Sequence, residues 1–231
     1  MFAGFPEETL QFFLDIRFHN NVAYYEENRE RFKRDVQTPF YALIDELAPT
    51  MLTIDPRMEV RPYKCLARLR RDTRFTKDKS PFRDHLWLTF RRAGEPREGS
   101  VMYWFELSVT SVGWGVGTWG ENRPAMDLLR RRIVSSPQVV QKAIDACRLE
   151  KRGFSVGGNT FKRIAIPEGV PEPLRFWYAG RELYISRERT SLDWVHDASV
   201  VERVRKDYTA LAPIYRLLHG LWDEVGAAEE L

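Results

Sequence analysis

Val101-Met102-Tyr103-Trp104-Phe105-Glu106-Leu107-Ser108-Val109-Thr110 is the stretch on which the fold turns. Tyr103, Phe105 and Leu107 recur at every second position, the period of a strand with one face against a core. Residues 85–92 alternate in the same way, and the segment between them, 93–100, carries the glycine, proline and charge of a turn. Residues 112–119 read as a glycine-rich strand after a short turn, and residues 58–71 as an earlier strand. Successive strands with short connections predict an antiparallel meander.

Helical patterns flank this meander. Pro6 suits a first helical turn, and Glu7 and Glu8 complement its N-terminal dipole. Leu10, Phe13, Leu14 and Ile16 to Phe18 form the expected buried stripe. Asn21 is placed to cap a second helix, whose apolar positions are Tyr25, Phe32, Val36, Phe40, Leu43 and Leu47. Glu27 with Arg31 and Glu30 with Arg34 have the spacing of i,i+4 ion pairs, and Pro39 is expected to restart or bend the helix. After the strands, helices are predicted over 126–134 and 138–148, strands over 160–166 and 182–187, and a long C-terminal helix over 198–225, kinked at Pro213. The prediction is therefore a single α+β domain over 1–231: a mainly antiparallel sheet with N-terminal and C-terminal helices packed on it. It comprises an acidic helical segment (1–55), a basic strand and loop segment (58–92) and a mixed remainder.

Composition narrows the function classes. Of 231 residues, 43% are apolar and 30% charged, which excludes a disordered tail. No apolar run reaches the ~20 residues of a membrane-spanning helix. The N-terminal residues lack the basic start and small-residue cleavage site of a secretory leader. Cys65 and Cys147 form no CxxC or metal spacing, so a cytoplasmic protein without disulfides is expected.

The formal net charge of +3 conceals a segregation. Residues 1–60 carry 6 basic and 11 acidic side chains, residues 61–92 carry 11 and 3, and residues 93–231 carry 19 of each. The whole positive excess falls on 32 residues, where it can attract phosphates, carboxylates or nucleic acid, or pair with the acidic segment.

Several motifs are weighed and set aside. Gly115-Val116-Gly117-Thr118-Trp119-Gly120 matches GxGxxG, but Trp119 crowds the turn and the strands before it are not parallel; glycines that let strands approach are the better reading. Gly153-Phe154-Ser155-Val156-Gly157 matches GxSxG without the strand–serine–helix order of a nucleophile elbow. His19, His85, His196 and His219 show no metal-ligand spacing, so no metal and no cofactor are expected. Glu26 and Glu27 point about 100° apart on a helix and suit ion pairing rather than acid–base work.

The strongest feature is Arg68-Leu69-Arg70-Arg71-Asp72-Thr73-Arg74-Phe75-Thr76-Lys77-Asp78-Lys79-Ser80-Pro81-Phe82. Extended backbone here turns Cys65, Ala67 and Leu69 to the core and Arg68 and Arg70 to the opposite face. The candidate anion ligands are Arg68, Arg71, Arg74, Lys77 and Lys79. Asp72 and Asp78 serve as orienting partners, and Asn20 and Asn21 as amide donors. Asp72 and Arg74 are expected to be buried and mutually bonded, with Phe75 and Phe82 anchoring the loop. Arginine forks grip phosphate or carboxylate bidentately and lysine acts as a point charge.

Through Phe2-Ala3-Gly4-Phe5, Asn20-Asn21, Asn28-Arg29, Pro39-Phe40 and above all Arg71-Asp72-Thr73-Arg74-Phe75-Thr76-Lys77-Asp78-Lys79-Ser80-Pro81-Phe82, the chain resembles the family catalogued as domain of unknown function 2461, found mainly in bacteria and also in fungi. Gly117 to Gly120, Leu129-Arg132-Ile133 and Phe161-Lys162-Arg163 fit it more loosely. Tyr24-Tyr25 replaces a usual Trp-Phe pair, and Phe82-Arg83 a usual Tyr-Lys. The resemblance implies a soluble single-domain protein and no established activity. An anionic small-molecule ligand is thus the leading expectation, with catalysis unassigned. The alternatives are a nucleic-acid or protein surface that uses Trp87, Tyr103 and Trp104 for stacking, or an ion-pair network bracing a long loop.

Overall fold

The computed structural model describes residues 1–229, with side chains through 227. The helices are α1 (Glu7–Phe18), α2 (Val22–Glu27), α3 (Arg29–Phe32), α4 (Thr38–Ile54), α5 (Pro62–Cys65), α6 (Arg123–Ser135), α7 (Pro137–Cys147), α8 (Leu149–Arg152), α9 (Arg175–Ala179) and α10 (Ser199–Glu229). The strands are β1 (His85–Phe90), β2 (Val101–Ser108), β3 (Val112–Thr118), β4 (Ser155–Gly157) and β5 (Tyr184–Arg189). They form an antiparallel five-stranded sheet in the order β1-β2-β3-β5-β4. The fold is α+β, with helices before and after the strands. No helix among the described residues is long and apolar enough to cross a membrane.

Two compact units divide the chain. The first comprises 1–90, 104–114 and 188–206; the second comprises 91–103, 115–187 and 207–231.

In the first unit, α1 buries Thr9, Phe12, Phe13 and Ile16. Leu14 and Phe18, placed in the stripe by the sequence reading, are exposed instead. Asn21 caps α2, its side chain accepting from Tyr24 N at 2.9 Å. Asn28 ends α2, and a π-helical turn, Lys33–Gln37, precedes α4. Its cause is Pro39, which has no N–H for the Asp35 carbonyl four residues back. Thr9 Oγ1, fully buried on α1, donates to that carbonyl instead. These breaks shift the helical register, so the expected Glu27–Arg31 and Glu30–Arg34 pairs give way to others. Arg31 meets Asp15 at 2.6 Å, Lys33 meets Glu30 at 2.6 Å and Arg34 meets Asp35 at 2.6 Å. Phe40 of α4 and Phe5, which precedes α1, pack on Phe105 of β2, with ring centroids 6.3 and 5.9 Å away.

The strand expected over 58–71 is not formed. Pro62 starts the short α5, and only single bridges, Leu66 to Leu88 and Arg70 to Phe82, follow. The expected facing holds in part: Cys65 and Leu69 are buried, Ala67 is half-buried, and Arg68 and Arg70 are exposed. Just before α5, buried Glu59 accepts Arg61 Nε at 2.8 Å and the Arg61 N–H at 3.0 Å. The Arg61 bond holds its carboxyl at about 2, against an ordinary 4.5. The stabilisation from a depressed carboxyl is complete above the unfolded value and is lost as pH falls toward the folded one. Urea midpoints should therefore fall between pH 4.5 and 2, and Glu59→Gln should flatten part of that slope. Equal slopes for variant and wild type would show that Glu59 does not contribute.

In the second unit, Tyr103 of β2 packs against Tyr208 and Tyr215 of α10, 4.8 and 5.3 Å away, and donates its hydroxyl to Tyr208 O at 3.2 Å. Tyr103 is fully buried and so lost to the stacking role expected for it. The α10 helix continues through Pro213. The strand expected over 160–166 is absent apart from a bridge between Thr160 and Gly180. Ser155–Gly157, read as a loop, is β4 and pairs with β5 through Val156 and Ile185.

Candidate functional site

The basic segment folds as a hairpin around a self-bonded tip. Arg71 N donates to Pro81 O at 2.8 Å and Arg83 N to Leu69 O at 3.0 Å. Ala67 N donates to Trp87 O at 2.9 Å, docking the first arm along β1. The second arm is held by Asn20. Its Nδ2 donates to Phe82 O at 2.9 Å and its Oδ1 accepts from Phe82 N at 3.0 Å. Phe82 is buried and stacks on Tyr25 at 4.5 Å. Asn20 thus grips the loop backbone, and the Asn21 side-chain carbonyl caps a helix. Asn20→Ala removes both bonds to a part-buried peptide and should cost about 2–3 kcal/mol. Amide exchange at Phe82 should accelerate accordingly, and unchanged protection there would refute the clamp.

Most of the charges of the tip, residues 72–80, are met within the hairpin. Asp72 accepts from Arg74 Nε at 3.0 Å, Nη2 at 2.7 Å and backbone N at 3.1 Å. The Arg74 bond lowers its carboxyl to about 2. The mutual bond was expected, but the burial was not found: the two side chains are 76% and 54% exposed. Nor does Phe75 anchor the loop, being 90% exposed, with the Arg74 guanidinium 5.5 Å from its ring centre. Lys79 Nζ donates to Thr73 O at 2.8 Å, and Arg71 pairs with Asp78, whose carboxyl also accepts Ser80 N at 2.9 Å. These bonds depress the Asp78 carboxyl, the Arg71 bond most. Lys77 is exposed.

Two cavities flank the hairpin arms. One, of about 340 Å³, holds Arg68 and Arg70 with Tyr25, Tyr41 and Tyr63. The other, of about 410 Å³, is lined by Arg71, Asp78 and Ser80, and by Arg17, Arg83, Asp84 and His85. Of the expected ligands, then, Asn20, Arg71 and Asp78 meet in one cavity, Arg68 lies in the other, and Asn21, Asp72, Arg74, Lys77 and Lys79 line neither. The charged residues not foreseen from the sequence are Arg17, Arg83, Asp84 and His85. Arg83, His85 and Trp87 occupy alternate positions at and along β1, a spacing visible in the sequence. Arg17 enters only because the fold brings α1 there.

Arg83 is the unusual member. Its Nη1 donates to Arg68 O and Arg70 O, both at 2.8 Å, and its guanidinium lies 4.7 Å from the Trp87 ring centre. Among the described residues no carboxylate neutralises it. Burial, and then the Arg71 cation, lower its pKa. Asp84 accepts Arg17 Nε at 2.6 Å and faces His85 Nδ1 at 3.0 Å. Burial works to raise the Asp84 carboxyl, but the bonds from His85 and Arg17 outweigh it, leaving the carboxyl below its usual range.

A second charged group lies in the other unit. Glu95, His219 and Asp223 place ligand-capable atoms within 4.8 Å of one another, although the histidine spacing suggested none. The cation facing them is Arg92, 2.7 and 2.9 Å from the two Asp223 oxygens. The glycine motif lies on β3 and its following turn, and Ser155 opens an edge strand without a helix after it. Neither motif makes a site. Cys65 and Cys147 are buried and form no disulfide.

The DUF2461 family, described as a conserved hypothetical protein, matches residues 8–217. The chain belongs to this family. No curated protein matches it. The DUF2461 match spans the hairpin, the Asn20 clamp and both cavities.

Proposed function

We propose that this DUF2461 chain binds a small phosphate- or carboxylate-bearing ligand in the 410 Å³ cavity at the base of the basic hairpin. The observation that carries this reading is Arg83: a part-buried guanidinium beside a second arginine, with no carboxylate to neutralise it among the described residues. Such an arrangement is costly when empty and is relieved by an incoming anion. The rigid hairpin also preorganises Arg71 and Arg83, reducing the ordering cost of binding.

Calorimetric titration with inorganic phosphate and pyrophosphate at fixed ionic strength tests this reading. Wild type should bind, Arg74→Ala should bind equally well, and Arg83→Ala should bind about 10- to 100-fold more weakly. Equal binding by Arg83→Ala would refute the site. A nucleic-acid reading is favoured by one observation, the exposed Phe75 under Arg74. It requires affinity for single strands that falls with salt and is lost in Phe75→Ala.

A further inference from the structure

We propose that the cavity is a phosphate-ester hydrolase site in which His85 transfers the proton, a reading that rests on the anion site proposed above. The clue is Asp84. A carboxylate in the wall of an anion cavity opposes its ligand unless it serves another purpose. Asp78 is already taken up by Arg71. Asp84 instead links Arg17 (2.6 Å) to His85 Nδ1 (3.0 Å). This chain fixes the imidazole as a carboxylate fixes the base of a catalytic triad. The ring also stacks on Trp87 at 5.7 Å, with planes 23° apart. Among the described residues Nε2 has no protein partner, and the His85 side chain, 35% exposed, lines the cavity.

The charged groups that face the ring come from several elements. Asp84 faces it from the same strand end, and Glu106, from β2, lies within electrostatic reach. Glu106 is itself raised by burial, with Glu188 adding to the rise and His85 opposing it. The cations facing the same cavity are Arg17, Arg71 and Arg83.

The step balances with water as co-reactant. Arg83 and Arg71 hold non-bridging oxygens of the phosphate. A water oxygen bonds to phosphorus while the ester P–O bond breaks, its electron pair leaving on the ester oxygen. His85 Nε2 gives its proton to that oxygen, the attacking water releases a proton to solvent, and solvent returns one to the imidazole. Ester and water become alcohol and phosphate.

A leaving-group comparison tests the proton donor. Phosphate release should be measured from an alkyl ester, glycerol phosphate, and from an aryl ester, p-nitrophenyl phosphate, whose leaving group needs little protonation. His85→Gln should lose about 10²–10⁴-fold on the alkyl ester and far less on the aryl ester, while still binding inorganic phosphate. Equal losses on both esters would overturn the assignment. So would wild type that binds phosphate but hydrolyses neither ester, and that result would leave the binding reading standing. Failure to bind phosphate at all would remove both readings. If His85→Gln does not fold, Asp84→Asn carries the same comparison, because it frees the imidazole while keeping it present.

Discussion

Gly115→Ala should lower the melting temperature by about 6–12 °C, corresponding to roughly 3 kcal/mol for a chain of this size. The reason is the distance between β3 and β5. A Cβ at position 115 would lie 2.0 Å from Ile185 O and 3.0 Å from Ser186 Cα. Both are backbone atoms, which cannot swing away as a side-chain tip can. The strands would have to separate, breaking ladder bonds in the middle of the sheet rather than at its edge. Gly117, whose added Cβ would lie 2.4 Å from Leu183 O, should behave similarly. Gly169→Ala is the control: nothing lies within 4 Å of its added Cβ, and its melting temperature should barely move. A Gly115→Ala protein that melts within about 2 °C of wild type would refute the close approach.

Arg83→Ala should weaken phosphate binding about 10- to 100-fold, as expected for losing one or two charge-assisted hydrogen bonds of roughly 1.5–3 kcal/mol. The same substitution removes the donor to Arg68 O and Arg70 O, so some loss of stability accompanies it. Arg83→Lys separates the two effects. Lysine keeps the charge but not the fork, so binding should fall partway while the charge dependence persists. Adding phosphate should raise the melting temperature of wild type and not that of Arg83→Ala. A stabilising shift of equal size in both proteins would place the anion elsewhere.

The sheet was legible in the sequence because its signal is local. Alternation at Tyr103, Phe105 and Leu107 survives without knowledge of partners, and all three are buried. So was the cap at Asn21, which acts within three residues. What failed depended on long-range or competing effects. Residues 58–71 alternate, but Pro62 favours a helical turn, and only one arm of a hairpin remains extended. Leu14 and Phe18 fit the helical stripe by spacing but are exposed, whereas Phe13 and Ile16 of the same stripe are buried. The basic loop was found from charge density alone, yet charge density does not reveal which cations are already paired. Arg74 and Lys79 turned out to be satisfied by Asp72 and a backbone carbonyl. Arg83, outside the most charged run, is part-buried and has no carboxylate partner among the described residues. Asn20, 62 residues from Phe82 in sequence, could not be recognised as a clamp before the fold brought them together.

The tip's bonding pattern has an engineering consequence. Nearly every polar bond drawn for residues 72–80 closes within the hairpin, between Asp72 and Arg74, Thr73 and Lys79, Thr76 and Asp78, or Asp78 and Arg71. Such a segment is a cassette. Exchanged between relatives at residues 71 and 81, it carries its conformation with it, so chimaeras that swap only this piece can assign recognition to the tip or to the cavity beneath it.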